Sequence, residues 1–238
     1  MPSTTRCAAL GWARSWLPRA VPLEIYLEIG KKRTFAAALE WPGWCRIGRD
    51  ADQAVQALYD YAPRYARVVA RLGFSPPSSI DEFEVRERLH GDSGTDMGTL
   101  SGIAPAYDDL PIDPAAHQRL VKILEACWRA FDRAVESARG KQLRGGVRGG
   151  GRDLDKIVQH VLDGEGGYLR RLEYKRSAEE ESDAALSRKA MLAALAASVR
   201  GEVPEYGPRG GRRWRGRYFV RREAWHVLDH AWEIEDRT

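Results

Sequence analysis

The chain has 238 residues, 43% of them hydrophobic and 30% charged, with a formal net charge of +4 at neutral pH. That composition belongs to a folded chain with room for one ordinary domain and a smaller one, and no apolar run approaches the roughly 20 residues of a bilayer-crossing helix. The modest charge does not by itself imply a nucleic-acid partner, and three scattered cysteines without a CxxC pair (Cys7, Cys45 and Cys127) argue against a disulfide framework and for a reducing cytoplasm.

Residues 1–20 carry Arg6, Arg14 and Arg19 around a short apolar patch at residues 8–12. They lack the continuous hydrophobic centre and small-residue cleavage site of a signal peptide, and read as an N-terminal extension. From there to residue 90 the pattern is that of a small α/β module. Residues 23–29 and 34–39 are β-prone runs either side of a Gly30-Lys31-Lys32-Arg33 turn, which is a hairpin signal. Trp41-Pro42-Gly43-Trp44 makes a second turn into a short strand at 44–47. Asp50 then caps a helix expected to reach about Leu72, with Ala54, Leu58, Tyr61, Tyr65 and Val69 on its apolar face. Residues 84–89 read as a further strand of the same sheet, and the Gly- and Pro-bearing stretch 91–113 as an irregular linker. The YLEIG and TFAAALEWPGWCRIG strands and the DADQAVQALYDY helix resemble the small HicB-like domains of antitoxin type.

The remainder, residues 114–238, is helical. Pro114 sits at a helix start after Asp113, and Leu120, Leu124, Cys127, Trp128, Phe131 and Val135 follow at helical spacing. A glycine- and arginine-rich loop leads to Asp153, the cap of a second helix with Leu154, Ile157, Val158 and Val161 inward. Gly164, Gly166 and Gly167 are expected to kink or interrupt that helix. Ser182-Asp183 opens a third helix, with Leu186, Leu192, Leu195 and Val199 apolar. A second arginine-rich loop precedes the last helix, residues 217–237, whose stripe is Val220, Ala224, Val227, Ala231 and Ile234. The expected architecture is therefore α+β: an α/β module of three to four strands and one helix over 21–90, a linker over 91–113, and a four-helix bundle over 114–238.

The chemistry concentrates in the bundle. His226 and His230 are one turn apart on one helix face, a register in which two imidazoles can hold one metal ion. His160 on the second helix is the best candidate for a third ligand. The segments carrying these residues, IVQHVLDGEGGYLRRL and EAWHVLDHAWEIEDR, resemble the DinB superfamily of four-helix bundles, which includes mycothiol- and bacillithiol-dependent enzymes. The resemblance implies that His160, His226 and His230 together hold a divalent ion, with a long crossover between the second and third helices, for which 164–181 is long enough. Three imidazoles leave a coordination position for water or a thiolate, and suit zinc or nickel. A low-molecular-weight thiol as co-substrate and a metal-dependent thiol S-transfer or hydrolysis on a small molecule follow from the same resemblance. The added N-terminal module and the GEGG sequence depart from the family pattern and leave the shape of the substrate pocket open.

Asp163, Asp229 and Glu233 lie within a turn of the histidines and either orient the ring N–H groups or pair with arginines at the surface. Arg144, Arg148 and Arg152, in the loop before the second helix, are candidates for holding an anionic group of the substrate. His90 and His117 have no partner at ligand spacing and read as structural or exposed. The rival function is a non-catalytic nucleic-acid-binding or toxin–antitoxin-like module. It would use the HicB-like part and the arginines of the two loops, with Arg209, Arg212, Arg213, Arg215 and Arg217 flanking Trp214 in the second. In a simple up-down bundle the two loops share one end; with a crossover they lie at opposite ends. The expected partners are a small-molecule substrate first, nucleic acid second, and a second copy of the chain as a homodimer, with no membrane.

Overall fold

A computed structural model describes residues 22–145 and 151–238; the N-terminal extension and Arg148 lie outside them. Four strands, β1 (Leu23–Ile29), β2 (Thr34–Ala38), β3 (Cys45–Gly48) and β4 (Phe83–His90), form one sheet in the order β3-β2-β1-β4. β1, β2 and β3 are antiparallel, as hairpins must be, while β4 returns parallel to β1. The expected hairpin closes through Gly30 N–H donating to the Arg33 carbonyl at 2.8 Å.

The helix expected over 50–72 is two helices, α1 (Ala51–Asp60) and α2 (Ala62–Val68). Asp50 caps α1 by accepting from Gln53 N–H at 2.8 Å. The break falls at Tyr61 because Pro63 brings no N–H and its ring clashes with the carbonyl one turn back. Ala54, Leu58, Tyr65 and Val69 enter the core as expected, and Tyr61 instead packs on Trp232, ring centroids 5.2 Å apart.

Residues 91–113 are not an irregular linker. They hold α3 (Ser93–Met97) and a 3-10 turn (Ala106–Asp109) and cover the second face of the sheet. The reason is Glu28, a carboxylate on β1 that is 1% exposed and accepts from Thr95 Oγ1 and Ser101 N–H, both at 2.7 Å. A buried charge needs such partners, and only this segment supplies them.

The bundle consists of α4 (Pro114–Ala138), α5 (Leu154–Arg171), α7 (Ala184–Val199) and α8 (Gly216–Arg237), with a short α6 (Ala178–Ser182) between α5 and α7. Asp113, Asp153 and Asp183 are the N-caps of α4, α5 and α7. The α4 stripe from Leu120 to Phe131 is buried, whereas Leu186, at the start of α7, is 41% exposed. No helix among the described residues is long and apolar enough to cross a membrane.

The ends of α8 fix the directions of the others. Its C-terminus holds the loops around α5's start: Arg144 N–H donates to the Arg237 carbonyl, and Arg237 Nη2 to that of Arg152. Its N-terminus packs on Ile112 just ahead of α4 and on Leu195 near the end of α7, while Trp214 N–H donates to Arg171 at the end of α5. So α4 runs with α8, and α5 and α7 both run against it. Residues 172–183 are accordingly a crossover between parallel helices, and the two arginine-rich loops sit at opposite ends of α8, about 33 Å apart at 1.5 Å per residue.

α8 is not a surface amphipathic helix. Every residue from 218 to 228 is buried, with the sheet and residues 91–113 on one side and the bundle on the other. One continuous core joins Ile25, Leu27 and Trp44 of the module to Leu124, Ile157 and Val227 of the bundle. The polar positions of α8 are therefore desolvated and must be paired. Arg221 is the clearest case: Nε and Nη2 donate to the two oxygens of Asp108, each at 2.7 Å, and Nη1 and Nη2 donate to the carbonyls of Ala38 and Leu39.

Two carboxylates lie in the bundle core. Glu165 accepts from Ser187 Oγ at 2.6 Å, and Glu223 accepts from Trp128 Nε1 at 2.8 Å while its second oxygen has no partner. Burial pushes the Glu165 carboxyl up to about 7 and that of Glu223 well above the usual range. A carboxyl raised on folding binds protons more tightly in the folded chain, so the Glu165 contribution is fully present below about 4.5 and is lost as pH rises to about 7. Over that window Glu165 contributes a loss on the order of 3 kcal/mol, which Glu165→Gln should remove, so the urea midpoint of the native chain should fall relative to that of the variant as pH rises. An unchanged slope in the variant would show that Glu165 titrates normally.

Candidate metal centre

His160 comes from the second turn of α5, and His226 and His230 from successive turns of α8. Because α5 runs against α8, the middle of one meets the middle of the other, and the three rings converge. Their centroids are 5.1, 4.9 and 4.9 Å apart, and one ligand atom from each lies within 4.8 Å of the other two. His160 Nε2 and His226 Nε2 are 3.3 Å apart. Two nitrogens on a tetrahedral ion with bonds of about 2.0–2.1 Å would be separated by about the same distance.

The glycines of α5 permit this approach. The helix passes through Gly164, Gly166 and Gly167 without interruption, contrary to the break expected there. A Cβ on Gly164 would lie 2.5 Å from Cε1 of His226, so no larger residue lets that ring sit against α5; Gly166 similarly admits the Arg176 guanidinium. Glycine costs about 1 kcal/mol relative to alanine in a helix interior, which packing from both sides outweighs here.

The surroundings favour the neutral form of His160 and His226. Burial, followed by the neighbouring His230 and Arg152 charges, lowers the His160 pKa; burial lowers that of His226 well below the ordinary value, helped by the other two rings. Neutral imidazole is the form that ligates a metal. Glu233 Oε2 lies 2.8 Å from His230 Nδ1, and its other oxygen accepts from Arg237 Nη1 at 2.6 Å. With Nδ1 so engaged, His230 Nε2 is left for an ion. The bonds to His230 and Arg237 hold the Glu233 carboxyl below its usual range. His226 is less well served: its Nδ1 is buried without a partner.

The other expected residues separate. Asp229 turns to the sheet and lies 3.5 Å from Arg46 Nη1. Asp163 is exposed and accepts from Gln159, reaching His160 only through its charge. Neither acid pairs with Arg170, Arg221 or Arg222 among the described residues. Arg144 is engaged at the end of α8, where Nη2 donates to the Asp236 carbonyl at 2.8 Å. Arg152 precedes α5, where its carbonyl accepts from Arg237 Nη2, and its charge adds to the lowering of the His160 and His226 pKa values. Glu165 belongs to the bundle core, whereas Tyr168 packs against His226 with centroids 5.6 Å apart. Arg237, which braces Glu233 and the loop carbonyls of Arg144 and Arg152, was not anticipated from the sequence. Its i,i+4 spacing from Glu233 was the available signal.

The second arginine loop is largely neutralised. Arg212 and Arg215 pair with Asp109 and Glu205, Arg213 pairs with Glu173 at 2.6 Å, and Arg217 donates to the Leu110 and Pro111 carbonyls. Trp214 packs on Tyr168 and Tyr218. No protein-family model, curated protein or solved structure matches the chain.

Proposed function

We propose that this chain is a DinB-like protein that binds one divalent ion, zinc or nickel, through His160, His226 and His230, and uses it for thiol S-transfer or hydrolysis on a small molecule. The observation that carries the reading is the convergence of three imidazoles from two antiparallel helices at ligand spacing. The crossover between α5 and α7, with both helices opposed to α8, supports the DinB-like part. The ion would supply activation of a thiolate or water by lowering its pKa. Glu233, braced by Arg237, fixes the His230 ring, and Gly164 admits His226. Arg152 adds positive charge that would favour an anionic thiol or substrate near the ion. Buried, free Cys45 and Cys127, whose thiols burial pushes up, fit a reducing cytoplasm.

The nucleic-acid reading draws little support, since its two loops are far apart and the second is occupied by acids. The test is elemental analysis of protein purified without an affinity tag or chelator, followed by a thiol-transfer and hydrolysis screen. About one equivalent of zinc or nickel is expected. Protein that stays metal-free after loading and dialysis would overturn metal binding. A loaded protein inert toward every thiol and ester tested would confine the site to a structural role.

A further inference from the structure

A second cluster of cations lies on the far side of α8 from the histidines. Trp232 follows His230 by two residues, about 200° around the helix, so it faces away from the metal ligands. It forms the floor of a cleft of about 620 Å³ between α2 and α4, together with Val69, Ala126 and Ala130, all of them buried. The space exists because α4 presents methyl groups at 126 and 130, where leucines would close it.

The rim of this cleft is cationic. Arg67 and Arg71 line it from α2 and the residues just beyond, and Arg129 and Arg133 from α4. All four are exposed, and each pair is four residues apart. Among the described residues Arg67, Arg71 and Arg133 take part in no ion pair, and Arg129 reaches only Glu125 at 3.8 Å. The one carboxylate in the lining, Glu235, is held by Arg64 at 2.6 Å. Like charges at i,i+4 are destabilising on an isolated helix, as Arg129 and Arg133 are on α4, and here that pair faces Arg67 and Arg71 across one cavity, with no free anion among the described lining residues to relieve them. Guanidinium forks match phosphate oxygens in geometry as well as charge, and the volume is that of a small-ligand pocket.

We infer that this cleft binds a small organic polyphosphate, a molecule of the nucleoside di- or triphosphate class. The phosphate chain would be held between the arginines of the two walls, and the apolar body would lie against Val68 and Leu72, half-buried beside the closed alanine and tryptophan floor. Four guanidiniums on two walls exceed what a single phosphate needs, and an apolar floor has no use for an inorganic ion.

The experiment is calorimetric titration of the full chain with ATP, ADP and pyrophosphate at low and moderate salt, with duplex DNA and anionic phosphatidylserine vesicles in parallel. Saturable binding of ATP and ADP is expected, tighter than pyrophosphate and weakened by salt. Arg67→Glu and Arg133→Glu should each weaken it by at least about tenfold, while Arg209→Glu leaves it unchanged. Arg67→Ala and Arg133→Ala, checked by circular dichroism, serve if the reversals perturb folding, and should weaken binding in the same order. No binding of any phosphate compound at low salt would overturn the inference. So would equal weakening by Arg209→Glu, or a preference for DNA or vesicles that the same rim variants abolish.

Discussion

Replacing His226 with alanine is expected to abolish stoichiometric binding of zinc or nickel, as is His230→Ala, while His90→Ala leaves it intact. The three rings come from two helices, and no other group of His, Cys, Asp or Glu among the described residues meets at this spacing. Removing one ligand leaves at most two nitrogens, too few to hold the ion against water in an open site. His90 lies exposed at the end of β4 and serves as the control. A graded effect should accompany the abrupt one. Glu233→Gln keeps a partner on His230 but loses the charge and the Arg237 brace, and should weaken the metal by about 10- to 100-fold. Competition with a chromogenic chelator measures both, and circular dichroism of the metal-free variants separates ligand loss from unfolding. Full retention of metal in a His226→Ala, His230→Ala double variant would remove the site.

The His226 and His230 pair was legible in the sequence because its information is local, whereas His160, on another helix, entered through the family resemblance. An i,i+4 pair of histidines stays on one face of any helix, and a stripe such as Val220, Ala224 and Val227 fixes which helix that is. Caps are equally local, and Asp50, Asp113, Asp153 and Asp183 all take the roles assigned to them. What failed depended on distant partners. The GEGG sequence looked like a break because glycine's intrinsic cost is visible in the chain, whereas the His226 ring that requires Gly164 lies across the fold and the Arg176 guanidinium folds back onto Gly166 from the connection after α5. Residues 91–113 looked like a linker because Glu28, whose charge they satisfy, precedes them by more than sixty positions. The split at Tyr61 was a different kind of miss, since Pro63 stood in plain view and the apolar periodicity was allowed to override it. Orientation of Asp229 toward Arg46 rather than a histidine needs the sheet's position, which no helical register contains.

The largest effect on stability should come from Arg221. Its guanidinium is 2% exposed and joins three separate parts of the chain: α8, the Ala38 and Leu39 carbonyls at the end of β2, and Asp108 in the 3-10 turn. Arg221→Met keeps most of the apolar stem but leaves a fully buried carboxylate and two carbonyls without donors. Breaking one side of a buried pair costs about 3–5 kcal/mol, read as a fall in the urea midpoint with little change in slope. Asp108→Leu should cost a comparable amount by stranding the guanidinium. The double variant separates pairing from burial: with both charges gone only the two carbonyls remain unsatisfied, so its loss should be well below the sum of the single losses. A single Arg221→Met change that shifts stability by less than about 1 kcal/mol would mean that water reaches this pair. A deficit in the expected range would instead show that the sheet, residues 91–113 and the helix bearing His226 and His230 are tied through one side chain. The candidate metal centre then rests on a frame to which the N-terminal strands contribute directly.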